Sequence, residues 1–188
     1  MIHSVKIEKS KYETMAEQFV QLELDFDGAT ARAVKESLIR ADIERDFGKD
    51  RIEDGTYTNP IRPSSLRCLM GCLRHAADRM TTVSEKREQT PAMQRGCYTE
   101  ALINYSVLLG EFSNGVVEAL RRKYPLVKNY ERSEEIAKNF LASEFGKSLA
   151  AKDLQVPIRY QYKEVWFSMA VDILKPVDDG YEVWDMKD

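Results

Sequence analysis

Asp172, Asp185 and Lys187 are residue types that could perform phosphoryl chemistry if a fold brought them together. They fall within residues 172–188, where one apolar run carries Asp172, a Pro-Val-Asp-Asp-Gly turn follows, and a second apolar run leads into Asp185-Met186-Lys187. Residues i and i+2 on a strand share a face, so Asp185 and Lys187 point the same way. If 165–174 and 181–186 pair as a hairpin, Asp172 lies near that pair. Two carboxylates at such a separation repel unless a hard cation sits between them, and Mg²⁺ favours a few carboxylate oxygens with water and phosphate completing its shell. The lysine can orient an attacking water or neutralise phosphate charge. Together these groups suit metal-assisted phosphodiester hydrolysis. The plainer alternative is a chance Asp-x-Lys at a strand end. Against it, alternation places Val183 and Asp185 on one face, and a buried, unpaired Asp there would be costly without a cation.

The elements that must position these residues follow from the hydrophobic pattern. Val5 and Ile7 alternate as in a short strand, and 12–24 and 29–47 read as helices, the second ending at Gly48. Residues 49–63 read as a loop with Asp54-Gly55 and Asn59-Pro60 turns, and Ser64 or Ser65 caps a helix to about residue 80. Pro91 suits the first turn of a helix over 92–109, and 114–124 and 132–151 extend the helical region. From Leu154 the period changes, and 156–162, 165–174 and 181–187 read as three strands. The fold class expected is α+β: a helical N-terminal part followed by an antiparallel three-strand meander.

Two helical segments bear on the chemistry. In Arg62-Pro-Ser64-Ser65-Leu-Arg67-Cys-Leu-Met-Gly-Cys72-Leu-Arg74, the residues Leu66, Leu69, Met70 and Leu73 form a core-facing stripe. Arg62, Arg67, Arg74 and Arg79 form a basic edge that could follow a phosphate backbone, a solvated charged face being the alternative. Cys68 and Cys72 share a helix face, but two cysteines make no metal site, and Cys97 as a third leaves it one ligand short. In Gln94-Arg95-Gly96-Cys97-Tyr98-Thr99-Glu100, Glu100 lies one turn after Gly96 among apolar neighbours. A mid-helix Gly costs about 1 kcal/mol relative to Ala, tolerable where another backbone packs close. A partly buried Glu needs a partner, either a metal shared with Asp172 and Asp185 or a salt bridge to Arg95 or Lys187.

Composition sets outer limits. The 188 residues support one sizeable core, with 43% hydrophobic and 31% charged residues. A net charge of −3 gives no general affinity for nucleic acid, although local arginines and metal ions can supply a positive field to a nuclease. No apolar run approaches the roughly 18 residues of a membrane span. Three cysteines and no secretory h-region point to free thiols in a reducing, cytoplasmic compartment.

The ordered set Pro-Ser-Ser-Leu-x-x-Cys, Gly-x-x-x-Glu on a helix, Asp, and Asp-x-Lys resembles the PD-(D/E)xK nuclease superfamily, most closely the RecB-type, CRISPR-associated and phage exonuclease branches. The likeness covers 60–188, leaving 1–59 as a helical N-terminal extension. It implies a restriction-endonuclease-like mixed sheet flanked by helices, Mg²⁺ or Mn²⁺ as cofactor, and DNA, single-stranded or at duplex ends, as partner. It implies Asp172, Asp185 and Glu100 as metal ligands with the Met186 carbonyl, and Lys187 as the catalytic lysine. Arg62, Ser64, Ser65, Arg67, Arg74 and Arg95 would meet the nucleic acid. Some members hold an iron–sulfur cluster on one cysteine near the Ser-Ser-Leu segment and three beyond the lysine; Cys68 matches the first but the other three have no counterpart here, so a cluster is not expected in this chain. The family continues past the lysine with a helix and another strand, so the native protein is expected to run on beyond Asp188. Two other readings share the acidic core: a nuclease-like DNA-binding module without catalysis, and a viral cap-snatching RNA endonuclease domain.

Overall fold

The computed structural model describes residues 2–45, 89–162 and 165–186. The boundary expected between residues 59 and 60 lies outside them, as do the 49–63 loop, the 64–80 helix with its basic edge, and Lys187.

The chain opens with strand β1 (Ile2–Ile7) and helices α1 (Lys11–Asp25) and α2 (Gly28–Glu44). Ser10, wholly buried, starts α1 by accepting from the Glu13 N–H at 3.1 Å, and Asp27 caps α2 through the N–H groups of Ala29 and Thr30. Helix α3 (Pro91–Leu109) has the expected Pro91 in its first turn; Thr90 accepts from the Met93 N–H, and Gly110 closes the helix at φ 75°. Helices α4 (Asn114–Lys123), α5 (Tyr130–Ala142) and α6 (Glu144–Lys147) follow, then a single 3₁₀ turn (Ala151–Asp153).

One expected helix over 132–151 is thus divided. Ser143 adopts an extended conformation, ψ 157°, and its side chain caps the next turn from the Gly146 N–H at 3.0 Å. Gly146 approaches the end of α5 so closely that a Cβ on it would meet the Phe140 carbonyl oxygen at 2.1 Å. A hydrophobic pattern alone cannot register so close an approach.

Strands β2 (Leu154–Tyr162), β3 (Val165–Val177) and β4 (Gly180–Trp184) complete the described fold. The architecture is α+β, but the sheet has four strands where three were expected, in the order β1-β2-β3-β4. The extra member is the N-terminal segment, whose Val5 and Ile7 pair with Tyr160 and Ile158. Every pairing among the described residues is antiparallel, so the mixed sheet implied by the family likeness is not seen there. Strand β4 also stops sooner than expected: Asp185 and Met186 lie beyond the ladder.

A single hydrophobic cluster joins Tyr12 and Phe19 of α1, Ile39 and Ile43 of α2, Tyr98 and Leu102 of α3, Leu120 of α4, and Leu154 and Ile173 of the sheet. Each wholly buried Leu or Ile in it stabilises the fold by about 2 kcal/mol. Helix α3 lies at its centre, with eight buried residues and contacts to α1, α4 and α5. A helix held on so many sides is a rigid mount for any side chain it presents.

Candidate functional site

Strand register sets up the acidic cluster. Ile173 pairs with Trp184, so one step further along the two strands Asp172 falls opposite Asp185. On the other side of β3, Leu154 pairs with Ile173 and Val156 with Val171, which puts Gln155 opposite Asp172. Gln155, Asp172 and Asp185 therefore form a row across β2, β3 and the end of β4. Glu100 of α3 reaches this row from the helical layer: the Gln155 amide nitrogen donates to Glu100 Oε1 at 2.5 Å and to Asp172 Oδ1 at 2.9 Å. The second Asp172 oxygen accepts from the Met186 backbone N–H at 2.9 Å.

The electrostatics are those of acids held together. Burial and the neighbouring Asp172 charge, with a further contribution from Asp185, push the Glu100 carboxyl up to about 7, against the opposing Lys11 ammonium and Gln155 amide. Asp172 is also raised, first by burial and then by Asp185, while the Met186 N–H and Gln155 oppose the rise. A carboxylate in this position is stabilised by a proton or by a cation.

The residues expected from sequence have different placements. Glu100 and Asp172 meet on the Gln155 amide, and Asp185 lies within electrostatic reach of both. Met186 contributes its N–H in this geometry, whereas the expected role was for its carbonyl oxygen. Asp185 and Val183 are exposed, so the expected cost of a buried face does not fall on Asp185; the acids that bear it are Glu100 and Asp172. Arg95 is exposed at the start of α3, five residues before Glu100. Among the described residues outside its own helical turn, no atom lies within 4 Å of where a Cβ on Gly96 would stand. Cys97 is a free thiol pushed upward by burial and by Glu100. Arg62, Ser64, Ser65, Arg67, Arg74, Lys187 and the cysteines Cys68 and Cys72 lie outside the described residues.

Two residues escaped the sequence reading. Gln155 carries no motif, and its position depends on strand register. Lys11 follows the buried cap Ser10 and bonds Asp42 Oδ2 at 2.9 Å and the Tyr105 hydroxyl at 3.2 Å. Its only sequence signal is its place at a helix start, which does not suggest a charge partner for Glu100.

The donor chemistry suits a hard divalent ion, being carboxylate oxygen throughout with an amide alongside. Among the described residues no three His, Cys, Asp or Glu side chains are already gathered as a cation site. What the structure gathers is the Glu100–Asp172 pair on one shared amide, with Asp185 in electrostatic reach. Among those residues, no helix is long and apolar enough to cross a membrane. No protein-family model matches the chain, and neither a curated protein nor a solved structure does.

Proposed function

We infer that this chain is a Mg²⁺- or Mn²⁺-dependent deoxyribonuclease of the PD-(D/E)xK type, acting as an exonuclease in recombination, repair or phage DNA metabolism. One observation carries the reading: Glu100 and Asp172, both half-buried, meet on a common donor with Asp185 opposite, so three acids are concentrated at one end of the sheet. Structural acids are seldom left in that condition, because each buried charge needs compensation.

Glu100, Asp172 and Asp185 are the residues that would hold the ion. Bound there, a divalent cation supplies Lewis acidity, lowering the pKa of water and offsetting phosphate charge. The protein's own groups do the positioning. The Met186 N–H holds one oxygen of Asp172 at 2.9 Å, which limits rotation of its carboxylate. Glu100 is mounted on the most buried helix, which limits its motion relative to the sheet. Lys187 would direct water or a phosphate oxygen; its part rests on the Asp-x-Lys spacing alone.

The test is hydrolysis of fluorescent single-stranded, blunt duplex and circular DNA, and of RNA, in Mn²⁺ and in EDTA. Cleavage of linear DNA in Mn²⁺ that EDTA and Asp172→Asn each remove is the expected result. DNA binding without cleavage would replace the enzyme with a binding module, and cleavage confined to RNA would favour an RNA endonuclease.

A further inference from the structure

Gln155 is placed with unusual care for a residue that belongs to no recognised motif. Its φ of 47° lies in the left-handed region, and among the described residues no other non-glycine residue adopts a positive φ. Leu154 and Val156 on either side are buried, so the strand is anchored around the distortion. A strained backbone survives only where its surroundings over-determine it. Here the distortion accompanies one amide set between Glu100 Oε1 at 2.5 Å and Asp172 Oδ1 at 2.9 Å.

An amide has two ends. The N–H₂ end donates to carboxylates, whereas the carbonyl oxygen is a hard, neutral ligand for Mg²⁺ or Mn²⁺. The amide nitrogen now sits between one oxygen of Glu100 and one of Asp172, which is where a cation bridging those two oxygens would stand. N–H donors and a cation compete for those lone pairs, so they cannot both occupy the space. A half turn about the Cγ–Cδ bond exchanges the two ends without changing the side chain's volume and brings Oε1 to where Nε2 stood.

We propose that Gln155 is a cation-binding residue, which turns its amide to present Oε1 beside Glu100 and Asp172 as the third oxygen ligand from these elements. The proposal deepens the reading above and rests on it: the acids must hold a divalent ion for the amide to serve it. A neutral third ligand adds coordination without adding to the repulsion between the acids, which a third buried carboxylate would increase.

Mn²⁺ titration of the intact chain without nucleic acid, followed by the electron paramagnetic resonance signal of free Mn²⁺, tests it separately from activity. Gln155→Leu removes both amide ends. Gln155→Gly removes them too while accepting a positive φ at no steric cost, so it keeps the experiment decisive if the leucine variant does not fold. Each should weaken Mn²⁺ binding by about tenfold or more, as loss of a ligand or its support does elsewhere. Gln155→Glu, which retains an oxygen at the same reach, should bind at least as tightly as the parent chain. Leucine and glycine variants that bind Mn²⁺ with parental or higher affinity would overturn the proposal while leaving the acidic site intact. A parent chain that binds no Mn²⁺ would overturn the metal-site reading and this proposal together.

Discussion

The Tyr98/Tyr105 side of α3 and the Glu100 side treat buried carboxylates in opposite ways. Tyr98 and Tyr105 are seven residues apart and so share a helix face. Each donates its hydroxyl to an acid: Tyr105 to Asp42 Oδ2 at 2.6 Å and Tyr98 to Glu134 Oε1 at 2.7 Å. Each acid also has its own cation, Lys11 at 2.9 Å from Asp42 and Arg121 at 2.7 Å from Glu134. Burial pushes Asp42 upward, yet the Tyr105 hydroxyl and Lys11 ammonium outweigh it and hold the carboxyl below its ordinary range. Glu100 points elsewhere on the same helix, meets an amide and two more acids, and is raised to about 7. Asn104, one turn further on, is wholly buried with its amide beside the Tyr12 hydroxyl. Among the described residues, one helix thus carries a face whose acids each pair with a cation and a face whose acids gather beside one another. The first is what stability asks for; the second concentrates acids with raised carboxyls, which ligand chemistry can use.

The comparison is broken most severely by asking whether each face matters to catalysis. Asp172→Asn and Lys187→Ala should each reduce Mn²⁺-dependent DNA hydrolysis by at least about 10³-fold, the scale of losing a group that acts on developing charge. Lys187→Ala should leave Mn²⁺ binding nearly unchanged, whereas Asp172→Asn should lose both. Hydrolysis by Lys187→Ala at the parental rate would remove the lysine from the mechanism.

Metal addition asks the same question through stability. An ion that binds the native state at a hundredfold excess over its Kd stabilises it by about 2.7 kcal/mol. Thermal melts in Mn²⁺ should therefore rise for the parent chain and not for Asp185→Asn. The satisfied face should behave differently. Asp42→Asn leaves a lysine and a buried tyrosine short of their acceptor and should cost about 2 kcal/mol, measured by urea unfolding, with its Mn²⁺ response retained. Loss of the Mn²⁺ shift in that folded variant would show that the two faces are coupled.

Much of the acidic face could be read before any coordinates. Asp172 and Asp185 converge because strand alternation and a short turn leave little freedom once the two runs pair. Glu100 is recognisable because a charged residue among Tyr98, Leu102 and Ile103 on a long helix must find a partner. The satisfied face was not legible, because Lys11, Asp42 and Tyr105 are 31 to 94 residues apart and meet only through helix packing. Gln155 was hidden for another reason. A polar residue at the start of a strand is ordinary, and its importance comes from a left-handed backbone and a register that no local pattern encodes. The division of the 132–151 helix turned on Gly146 fitting against Phe140, a contact whose closeness depends on the fold around it.

The smallest effect sharpens the contrast furthest. Glu100 titrates near 4.5 as an ordinary Glu and is raised to about 7 in the native protein. Between those values the native state holds a proton that the unfolded chain has lost. Its contribution to stability is therefore complete below about pH 4.5 and is lost as pH rises through 7. In EDTA the parent chain should lose stability over that window more steeply than Glu100→Gln, which has no proton to give up there. At pH 8 the glutamine variant should be the more stable protein by about 1 kcal/mol, a gain of the kind seen when strained functional groups are neutralised. Millimolar Mn²⁺ should reverse the order, because the parent gains a bound ion and the variant gains little. Asp42 predicts the opposite sign: its lowered carboxyl contributes stability above its ordinary pKa that is lost on acidification, and Asp42→Asn should be the less stable protein at pH 8. Melting curves of the two variants and the parent at pH 5 and 8, with EDTA or Mn²⁺, measure both signs in one experiment. If Glu100→Gln is destabilising at pH 8 in EDTA, Glu100 belongs with the structural acids and the distinction between the faces of α3 fails.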